Sequence, residues 1–222
     1  MAGSSAPETF PTPTILPLGD TGLLVRFGTE LTDAANRAAI ALASELDRQP
    51  IAGVLEIVPS LVSVLLRYDP LVSAQAAIAG EVRLHLFGLG DAPSTASRWT
   101  IPTRFDGPDI DEVATMLGMS RVAFVAAHNA QPLRILATGF APGFVYCGLH
   151  GDGLVLPRRT MVRASVPVGS VLFAAGQTAI AATEMPTGWH VIGHTSFANF
   201  DPAGTPPTRL VAGDIVAFEA LS

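Results

Sequence analysis

The spacing of apolar positions along the first half of the chain predicts alternating strands and helices. Short apolar runs bounded by turn residues predict strands, and apolar residues that recur every three or four positions predict amphipathic helices. The predicted strands cover residues 23–27, 54–58 and 62–68, and the predicted helices cover residues 32–46 and 74–87. Thr32 or Asp33 is suited to cap the first helix, and Ser73 to open the second. This order predicts most of a ferredoxin-like βαββαβ unit, whose last strand would come from residues 98–104.

Beyond residue 108 the pattern changes, first to two short helices and then to many short strands. Asp109 followed by Glu112 is a capping-box pattern for the first helix, and Ser120 is suited to cap the second, which ends near His128. After Pro132, apolar runs alternate with turns rich in Gly and Pro. The runs cover residues 134–137, 170–174, 180–182, 190–192 and 215–218. Many short strands with frequent turn signals favour a β-barrel.

The sequence therefore predicts an α+β protein made of three segments. Residues 1–14 are rich in Ser, Pro and Thr and are interpreted as a disordered tail. Residues 15–97 form the predicted ferredoxin-like domain, and residues 98–222 form the predicted β-barrel domain. The boundary is placed at residues 88–97, where Gly, Ala, Ser and Pro are concentrated.

Composition and charge exclude several classes of partner. The formal net charge is −6, and no basic run is interleaved with aromatic residues, so nucleic acid is not an expected partner. No stretch of about 18 apolar residues is free of charge, Gly and Pro, so no membrane span is predicted. The first 14 residues contain no basic residue and no apolar segment of the kind found in signal peptides. Because Cys147 is the single cysteine, the chain has no internal disulfide, which indicates a reducing, cytoplasmic location.

The inventory of basic residues limits the chemistry further. All 13 basic residues are arginines, and the sequence contains no lysine. A Schiff-base lysine and a P-loop lysine are therefore impossible on this chain. Phosphate groups would have to be bound by arginine, by backbone N–H groups or by another chain.

Three guanidiniums within six positions are the clearest chemical signal in the second half. Arg158, Arg159 and Arg163 supply planar forks of donors, which bind a carboxylate or a phosphate through paired hydrogen bonds. The alternatives are a solvated turn, or pairing of these arginines with acidic residues of a partner subunit. Gln177 and Thr178 follow a glycine at a strand end, where an amide and a hydroxyl would hold an amide substrate. The alternative there is an ordinary turn.

Two other constellations are weaker. A zinc set would consist of Cys147, His150, His190 and His194. The last two lie on a segment predicted to be extended, where four residues span roughly 13 Å, too far for ligands of one metal. A serine triad would consist of Ser165 or Ser170, His190 and Asp201, but the sequence has no G-x-S-x-G turn. No metal site is predicted. The aromatic residues of this half are more typical of a core or an interface.

An ordered series of motifs, running from residue 15 to residue 218, resembles one family of proteins. The motifs are Pro17-Leu18-Gly19-Asp20, Val58-Pro59-Ser60, Tyr68-Asp69-Pro70, Gly107-Pro108-Asp109 followed by His128, Gly139-Phe140-Ala141-Pro142-Gly143-Phe144-x-Tyr146, Pro157-Arg158-Arg159, Val166-Pro167-x-Gly169-Ser170-Val171, Gly176-Gln177-Thr178, Gly188-Trp189 and Ile192-Gly193-x-Thr195. The chain is similar in these motifs to the B subunit of 5-oxoprolinase, also called allophanate hydrolase subunit 1, or subdomain C of the carboxyltransferase domain of urea carboxylase.

The resemblance implies a fold, a reaction and partners. It implies an N-terminal ferredoxin-like domain, a C-terminal cyclophilin-like β-barrel, and ATP-coupled hydrolysis of an amide or lactam such as 5-oxoproline. ATP would phosphorylate the amide oxygen, and water would then attack the activated carbon. The expected partners are allophanate hydrolase subunit 2, which is the C subunit of 5-oxoprolinase, and in some complexes the A subunit of 5-oxoprolinase. These partners would bind or share the ATP. A family member described as a histidine kinase inhibitor supports the alternative of a non-catalytic binding module.

The place of the candidate residues in the predicted barrel suggests which of them carry the site, because a loop and the end of the strand after it can face one mouth of a small barrel. The expected catalytic residues are Arg158, Arg159 and Gln177. The expected substrate-binding residues are Arg163, Thr178, Tyr146, Trp189 and His194. An enzyme requires the three catalytic side chains to converge on a cavity, whereas a regulator does not.

Several positions depart from the family pattern. Ala181 stands where a tyrosine is usual, His194 where an arginine is usual, and Ser165 where another arginine is expected. Thr187 replaces a glycine, and Cys147 and His150 replace the common leucine and glycine. Because a histidine does not replace an arginine in bidentate anion binding, a different amide or carboxylated substrate, or reduced activity, is expected.

Overall fold

The computed structural model describes residues 10–90 and 96–221. The chain divides into two compact units, residues 1–95 and residues 96–222, and each is described by itself. The predicted disordered tail falls mostly outside the described residues, and Thr14 at its end belongs to a strand. Within the described residues, no helix is long and apolar enough to cross a membrane.

The first unit is a four-stranded antiparallel sheet with two helices. Its elements are β1 (Thr14–Leu18), β2 (Gly22–Arg26), α1 (Asp33–Arg48), β3 (Val54–Pro59), β4 (Ser63–Tyr68) and α2 (Gln75–Leu86). The strands lie in the order β1-β2-β4-β3. From β2 to α2 the chain follows the predicted βαββα order, so this part of the prediction is confirmed.

The prediction for the fourth strand of this sheet was wrong, because the strand precedes β2 in the chain and does not follow α2. Residues 98–104 do not join it, because strand Arg98–Thr103 pairs within the second unit. The place beside β2 is taken by β1, which forms a hairpin with it in the register Leu18↔Gly22. Gly19 supplies a left-handed turn residue at φ +63°. Pairing β2 with β1, four residues away, closes a much shorter loop than pairing it with a strand that follows α2. Because β1 is an edge strand, it also tolerates Pro17.

Helix α1 illustrates how local sequence signals shape this unit. The Thr32 side chain accepts a hydrogen bond from Ala35 N at 3.2 Å, as its capping role predicts. Leu42 and Leu46 are buried against the sheet, one helical turn apart. The prediction for α2 was wrong in one detail, because Ser73 does not cap the helix. Its hydroxyl donates instead to Ala52 O at 2.8 Å.

The second unit consists of a curled seven-stranded sheet, a two-stranded ribbon and two short helices. Its elements are β5 (Arg98–Thr103), α3 (Ile110–Met116), α4 (Arg121–His128), β6 (Leu133–Thr138), β7 (Val145–Gly148), a 3-10 turn (Asp152–Leu154), β8 (Arg163–Val166), β9 (Ser170–Ala174), β10 (Gln177–Ile180), β11 (Met185–Thr187), β12 (His190–His194) and β13 (Ile215–Ala220). The large sheet has the order β12-β9-β10-β7-β6-β13-β5, and β8 pairs with β11 in the ribbon.

The seven-stranded sheet curls so far that its two edges approach each other at one end. All its neighbouring strands are antiparallel except β5 and β13, which are parallel. At one end Arg104, just beyond β5, and His194, at the end of β12, form an isolated bridge with two N–H···O bonds of 2.9 Å. Bulges in β6 and β12 increase the local bend. The second unit is therefore a half-barrel, and the predicted α+β fold class is confirmed.

The two faces of the half-barrel sheet bury different clusters. On the face covered by α3 and α4, Phe173 and Ile180 pack with Phe124, which is fully buried. On the opposite face, called the outer face below, Leu172 and Ala179 pack with Trp189. Successive residues of a strand point to opposite faces, so each strand contributes to both clusters.

Candidate functional site

A pocket of about 450 Å³ lies beside β12 in the second unit. Its size is within the range of small-molecule sites in proteins. Its polar lining residues are Asp106, Arg163, Ser165, Ser170 and His194. Two of the predicted substrate-binding residues, Arg163 and His194, therefore lie in one pocket.

One wall of this pocket is formed by residues 106–108, part of a segment that runs alongside β12. Arg104 and His194 exchange two backbone hydrogen bonds, and Gly107 N donates to Ile192 O at 3.2 Å. A Cβ on Gly107 would lie 2.3 Å from Val191 O, and a Cβ on Gly193 would lie 2.2 Å from Arg104 O. Only glycine allows the two segments to approach this closely, so these glycines define the shape of the wall.

His194 is paired with Asp106 at the pocket wall. Its Nδ1 lies 2.8 Å from Asp106 Oδ1, and both side chains are about half exposed, at 54% and 57%. The two residues are 88 positions apart in the chain and come together because the segment containing Asp106 pairs with β12. Asp106 was not recognised from the sequence, because no local spacing relates it to His194.

Asp109, next to the pocket, is the centre of a buried ion-pair cluster. Its Oδ1 accepts hydrogen bonds from Arg159 Nη1 at 2.8 Å and from Arg163 Nη2 at 2.5 Å. Its Oδ2 accepts from Val191 N at 2.8 Å, and its side chain is only 4% exposed. Glu112 lies 3.4 Å from Arg159 Nη1 at the edge of the cluster. The carboxylate thus joins the start of α3 to the loop before β8, to β8 itself and to β12.

The predicted capping box at Asp109 and Glu112 was wrong. Asp109 occupies the cap position of α3 with φ −106° and ψ 0°, and its side chain makes no capping hydrogen bond. Both acidic side chains turn to Arg159 instead. Charge-assisted bonds to guanidinium groups are stronger than a hydrogen bond to a neutral N–H, so they decide the orientation of this buried carboxylate.

The arginine cluster predicted from the sequence is divided between two environments. Arg159 and Arg163 share Asp109 of this chain, a pairing that differs from the expected alternatives of a solvated turn or acidic residues of a partner subunit. Arg163 keeps 34% of its side chain exposed and lines the pocket. The Nε atoms of both arginines have no hydrogen-bond partner among the described residues. Because Arg163 Nε is itself buried, an anion in the pocket would meet the exposed part of the Arg163 side chain.

Arg158 belongs instead to an aromatic cluster on the outer face. Its guanidinium lies over the Trp189 ring at 5.7 Å, and the Trp189 and Tyr146 ring centroids are 5.9 Å apart. Tyr146 also contacts the Phe144 ring edge-to-face at 4.9 Å. Burial raises the pKa of Tyr146, and the positive charge of Arg158 lowers it in part. These predicted site residues thus contact one another, but they do not line the pocket beside β12.

Gln177 and Thr178 project from opposite faces of β10, so they cannot hold one amide together. Gln177 is buried near the outer face, and its Oε1 has no hydrogen-bond partner among the described residues. The Thr178 hydroxyl points to the helix-covered face, where it contacts His128 Nε2 and His150 Nε2, both at 2.8 Å.

These two histidines form a buried network that sequence reasoning did not assign. Burial lowers the pKa of His128 to about 4, and burial together with His128 lowers the pKa of His150 to about 3. His128 Nδ1 lies 2.7 Å from Asn129 Oδ1. Two neutral imidazoles satisfy every contact if His128 Nδ1 donates to Asn129, Thr178 donates to His128, and His150 donates to Thr178. His128 is part of the motif series, but its partners come from other strands.

The zinc and serine-triad constellations are not assembled. Cys147 is buried in the half-barrel, and burial raises the pKa of its thiol. His190 Nε2 contacts Pro157 O at 3.2 Å, while His194 contacts Asp106. Asp201 accepts from the backbone of Ala203. Within residues 10–90 and 96–221, no group of three or more His, Cys, Asp or Glu side chains is placed to hold a metal ion.

The fold and the motifs define a class of protein. Residues 13–210 match the sequence profile of the carboxyltransferase domain, subdomain C and D, so the chain belongs to this family. The family predicted from the motif series is therefore confirmed.

Its relatives include bacterial proteins named as the B subunit of 5-oxoprolinase. The chain is 32% identical over 219 residues to the B subunit from Bacillus subtilis, with 92% of this chain and 91% of the relative covered. It is 34% identical over 207 residues to the B subunit from Escherichia coli O157:H7, with 90% and 93% covered.

Solved structures share the same fold. The crystal structure of TTHA0988 matches with a TM-score of 0.80 and 37% identity, over 90% of this chain. This chain spans only 40% of that longer protein. The urea amidolyase of Kluyveromyces lactis matches with a TM-score of 0.76 over 96% of this chain and 15% of that one. At 16% identity, that likeness supports the fold alone.

Proposed function

We propose that this chain is one subunit of an ATP-dependent amide or lactam hydrolase of the 5-oxoprolinase or allophanate hydrolase type. The observation that carries the proposal is the similarity to two proteins named as the B subunit of 5-oxoprolinase, which extends over 90% or more of this chain. Because those relatives are named as subunits, the proposal includes a heteromeric complex. The expected partners are the C subunit of 5-oxoprolinase, also called allophanate hydrolase subunit 2, and the A subunit of 5-oxoprolinase.

The pocket beside β12 supports a small, negatively charged amide as the substrate. Arg163 presents a partly exposed, positively charged side chain to the pocket, which suits a substrate carboxylate or a phosphoryl group. A volume of about 450 Å³ accommodates a ring the size of 5-oxoproline together with a transferred phosphoryl group. Allophanate, which is not a lactam, has the same combination of amide and carboxylate.

ATP is the expected co-substrate, and the partner subunits are expected to bind it or to share its binding. The chain contains no lysine, so a P-loop lysine cannot contact the phosphates from this side. Arginine and backbone N–H groups remain as phosphate ligands on this chain. The residues present therefore favour a role in holding the amide over a role as a self-contained ATPase.

The proposed site residues are those that the pocket brings together. Arg163 and His194 line it directly, and Arg159 contributes through the carboxylate that it shares with Arg163. The roles predicted for the remaining residues stay predictions, because their side chains lie outside the pocket lining. These residues are Arg158, Gln177, Thr178, Tyr146 and Trp189.

Co-expression with the candidate A and C subunits, followed by a turnover assay, tests the proposal. We expect a stable complex that converts 5-oxoproline, allophanate or a related lactam with consumption of ATP. Replacing Arg163 with alanine removes a charged hydrogen bond worth about 1.5–3 kcal/mol, so kcat/KM should fall by roughly 10- to 150-fold. Arg209→Ala is the matched control, because Arg209 stacks on Phe197 outside the pocket. Full activity of Arg163→Ala in a working complex would place the site elsewhere.

The second candidate is a non-catalytic binding module, such as a histidine kinase inhibitor. One observation favours it: Arg158, Arg159 and Gln177 do not line the pocket beside β12, and Arg158 and Arg159 contact different groups. Under this alternative the chain should remain monomeric beside the candidate A and C subunits, show no ATP-coupled turnover with them, and inhibit a histidine kinase. Size-exclusion chromatography and a kinase autophosphorylation assay separate the two candidates.

A further inference from the structure

We propose that His194 and Asp106 form a general-base dyad that activates the attacking water in the pocket beside β12. The inference rests on the proposed hydrolase function and assigns a catalytic residue within it. Asp106 accepts the Nδ1 proton of His194 at 2.8 Å, which fixes the tautomer whose Nε2 carries the lone pair. Nε2 has no hydrogen-bond partner among the described residues, and both side chains line the pocket.

The backbone holds the dyad in place. His194 exchanges two backbone hydrogen bonds of 2.9 Å with Arg104, two residues before Asp106. Gly107, directly after Asp106, is pressed against β12 so closely that no side chain fits. A base acts efficiently only when its position relative to the reacting atom is fixed. These constraints limit the movement of both members of the dyad.

The two serines of the pocket are engaged elsewhere, so water is the group that the base can reach. Ser165 donates its hydroxyl proton to Glu184 Oε1 at 2.7 Å. Ser170 donates its hydroxyl proton to Pro167 O at 2.7 Å. A serine nucleophile needs its proton directed at the base, as in a catalytic triad. The pocket thus offers a base, an anion-binding arginine and space for water, without an activated covalent nucleophile.

In the proposed step, the amide oxygen carries a phosphoryl group transferred from ATP, which makes the amide carbon electrophilic. The water oxygen forms a bond to this carbon while one water proton passes to His194 Nε2, and the C=N electron pair moves onto nitrogen. The imidazolium then returns this proton to that nitrogen, and the remaining hydroxyl proton of the tetrahedral carbon follows through the same imidazole as the C–N bond breaks, which gives the amine and a new C=O. This leaves an acyl phosphate, which a second water hydrolyses to the carboxylate and inorganic phosphate. Arg163 would hold the substrate carboxylate during both steps.

Three substitutions at position 194 in the assembled complex test the dyad. His194→Gln keeps a polar side chain without a base. His194→Arg installs the residue that is usual in the family, so it separates a base particular to this chain from an anion ligand shared with the family. General-base catalysis typically contributes 10²- to 10⁴-fold, so both should lower kcat by about that factor while KM changes little. His194→Ala should regain part of its turnover when free imidazole is added. Assembly of each variant is checked by size-exclusion chromatography.

Asp106 is tested as the positioning residue of His194. Asp106→Asn should lower kcat about tenfold or more in the wild-type background, and should have no further effect in His194→Gln, because residues acting as one unit are not additive. Independent, multiplying effects of the two substitutions would overturn the dyad. The dyad would also be overturned if the substitutions impaired only KM and His194→Arg remained active, because His194 would then be an anion ligand only. A wild-type complex that hydrolyses no amide with ATP would instead reject the proposed function itself.

Discussion

The two units of this protein differ most in what they bury. In the described part of the first unit, Asn36 is the one fully buried polar residue, and the remaining core is apolar. The second unit buries eleven polar or charged residues within its described part, among them Asp109, His128, Thr178 and Asp214. Both units are compact, but among the described residues only the second unit has buried carboxylate and imidazole side chains. Their removal from water is unfavourable in free energy.

Most of these buried polar groups join segments that are distant in the sequence. Asp214 accepts hydrogen bonds from Ser97 N and Trp99 Nε1, more than 100 positions away. Asn199 donates to Gly143 O and accepts from Leu210 N. A buried polar group is stable only where its partners are in place, so each one specifies a single arrangement of the strands around it. The unit that holds the candidate pocket is thus also the one whose geometry is fixed by polar contacts.

The largest expected effect in this comparison comes from Asp109→Ala. The substitution removes the acceptor shared by Arg159, Arg163 and Val191 N. It leaves Arg159 with Glu112 at 3.4 Å. Breaking a buried ion pair typically costs about 3–5 kcal/mol, and because both arginines are partly exposed we expect the lower end of that range. Trp99 and Trp189 both lie in the second unit, so tryptophan fluorescence during urea unfolding follows that unit. We expect the midpoint of the fluorescence transition to fall sharply.

Asp111→Ala is the matched control for that experiment. Asp111 is on the same helix and pairs with Arg121, but its side chain is 77% exposed. Exposed substitutions of this kind usually change stability by no more than about 0.5 kcal/mol. Equal effects of the two alanines would mean that burial of polar groups does not distinguish the second unit.

The second expected effect is a loss of stability of the second unit in mild acid. The pKa of His128 is lowered to about 4 and that of His150 to about 3, from an ordinary value of 6.5. As the pH falls through 6.5, the unfolded chain binds these protons while the folded chain does not, so the free energy of unfolding decreases. Each histidine contributes up to about 1.4 kcal/mol per pH unit, until its folded pKa is reached.

Unfolding followed by tryptophan fluorescence between pH 7 and pH 5 measures this dependence. His150→Gln removes one of the two titrating groups and should make the dependence shallower in the same unit. Amide hydrogen exchange of strands β2 and β4 reports on the first unit, which lacks this pair. An unchanged slope in His150→Gln would contradict the assignment of the acid sensitivity to the histidine network.

The smallest expected effect concerns Arg158, a charged residue of the second unit that is exposed. Its contact with Trp189 at 5.7 Å is a cation–π interaction at an exposed site, worth about 0.5–1 kcal/mol. Because the Arg158 charge lowers the pKa of Tyr146, Arg158→Ala should raise that pKa further. A spectroscopic titration of the tyrosines detects the shift, and Arg209→Ala should leave it unchanged. A fall in the tyrosine pKa would contradict the proposed contact.

Local sequence signals determined most of the individual elements. The caps at Thr32 and Ser120 and the helical spacing behind them identified α1 and α4, because a cap and its partner lie within three residues. The run at residues 170–174 coincides with β9. The motif series was sufficient to predict the family, since it depends on residue order alone.

Tertiary structure decided which elements pair and which side chains meet. Nothing near residues 98–103 indicates that they lie parallel to β13, more than 100 positions away. The sequence around Asp109 predicts a helix cap, but its carboxylate binds two arginines about 50 positions away. This is favourable because a buried charge is stabilised best by an opposite charge.

The candidate site shows the same division. The sequence determined that Arg163 and His194 are available and that lysine chemistry is excluded. The structure decided that Gln177 and Thr178 face opposite sides of β10, and that His194 meets Asp106 across 88 positions. Side-chain type is a property of the sequence, whereas a site depends on distances between strands, and these distances follow from how the sheet curls and where its edges close.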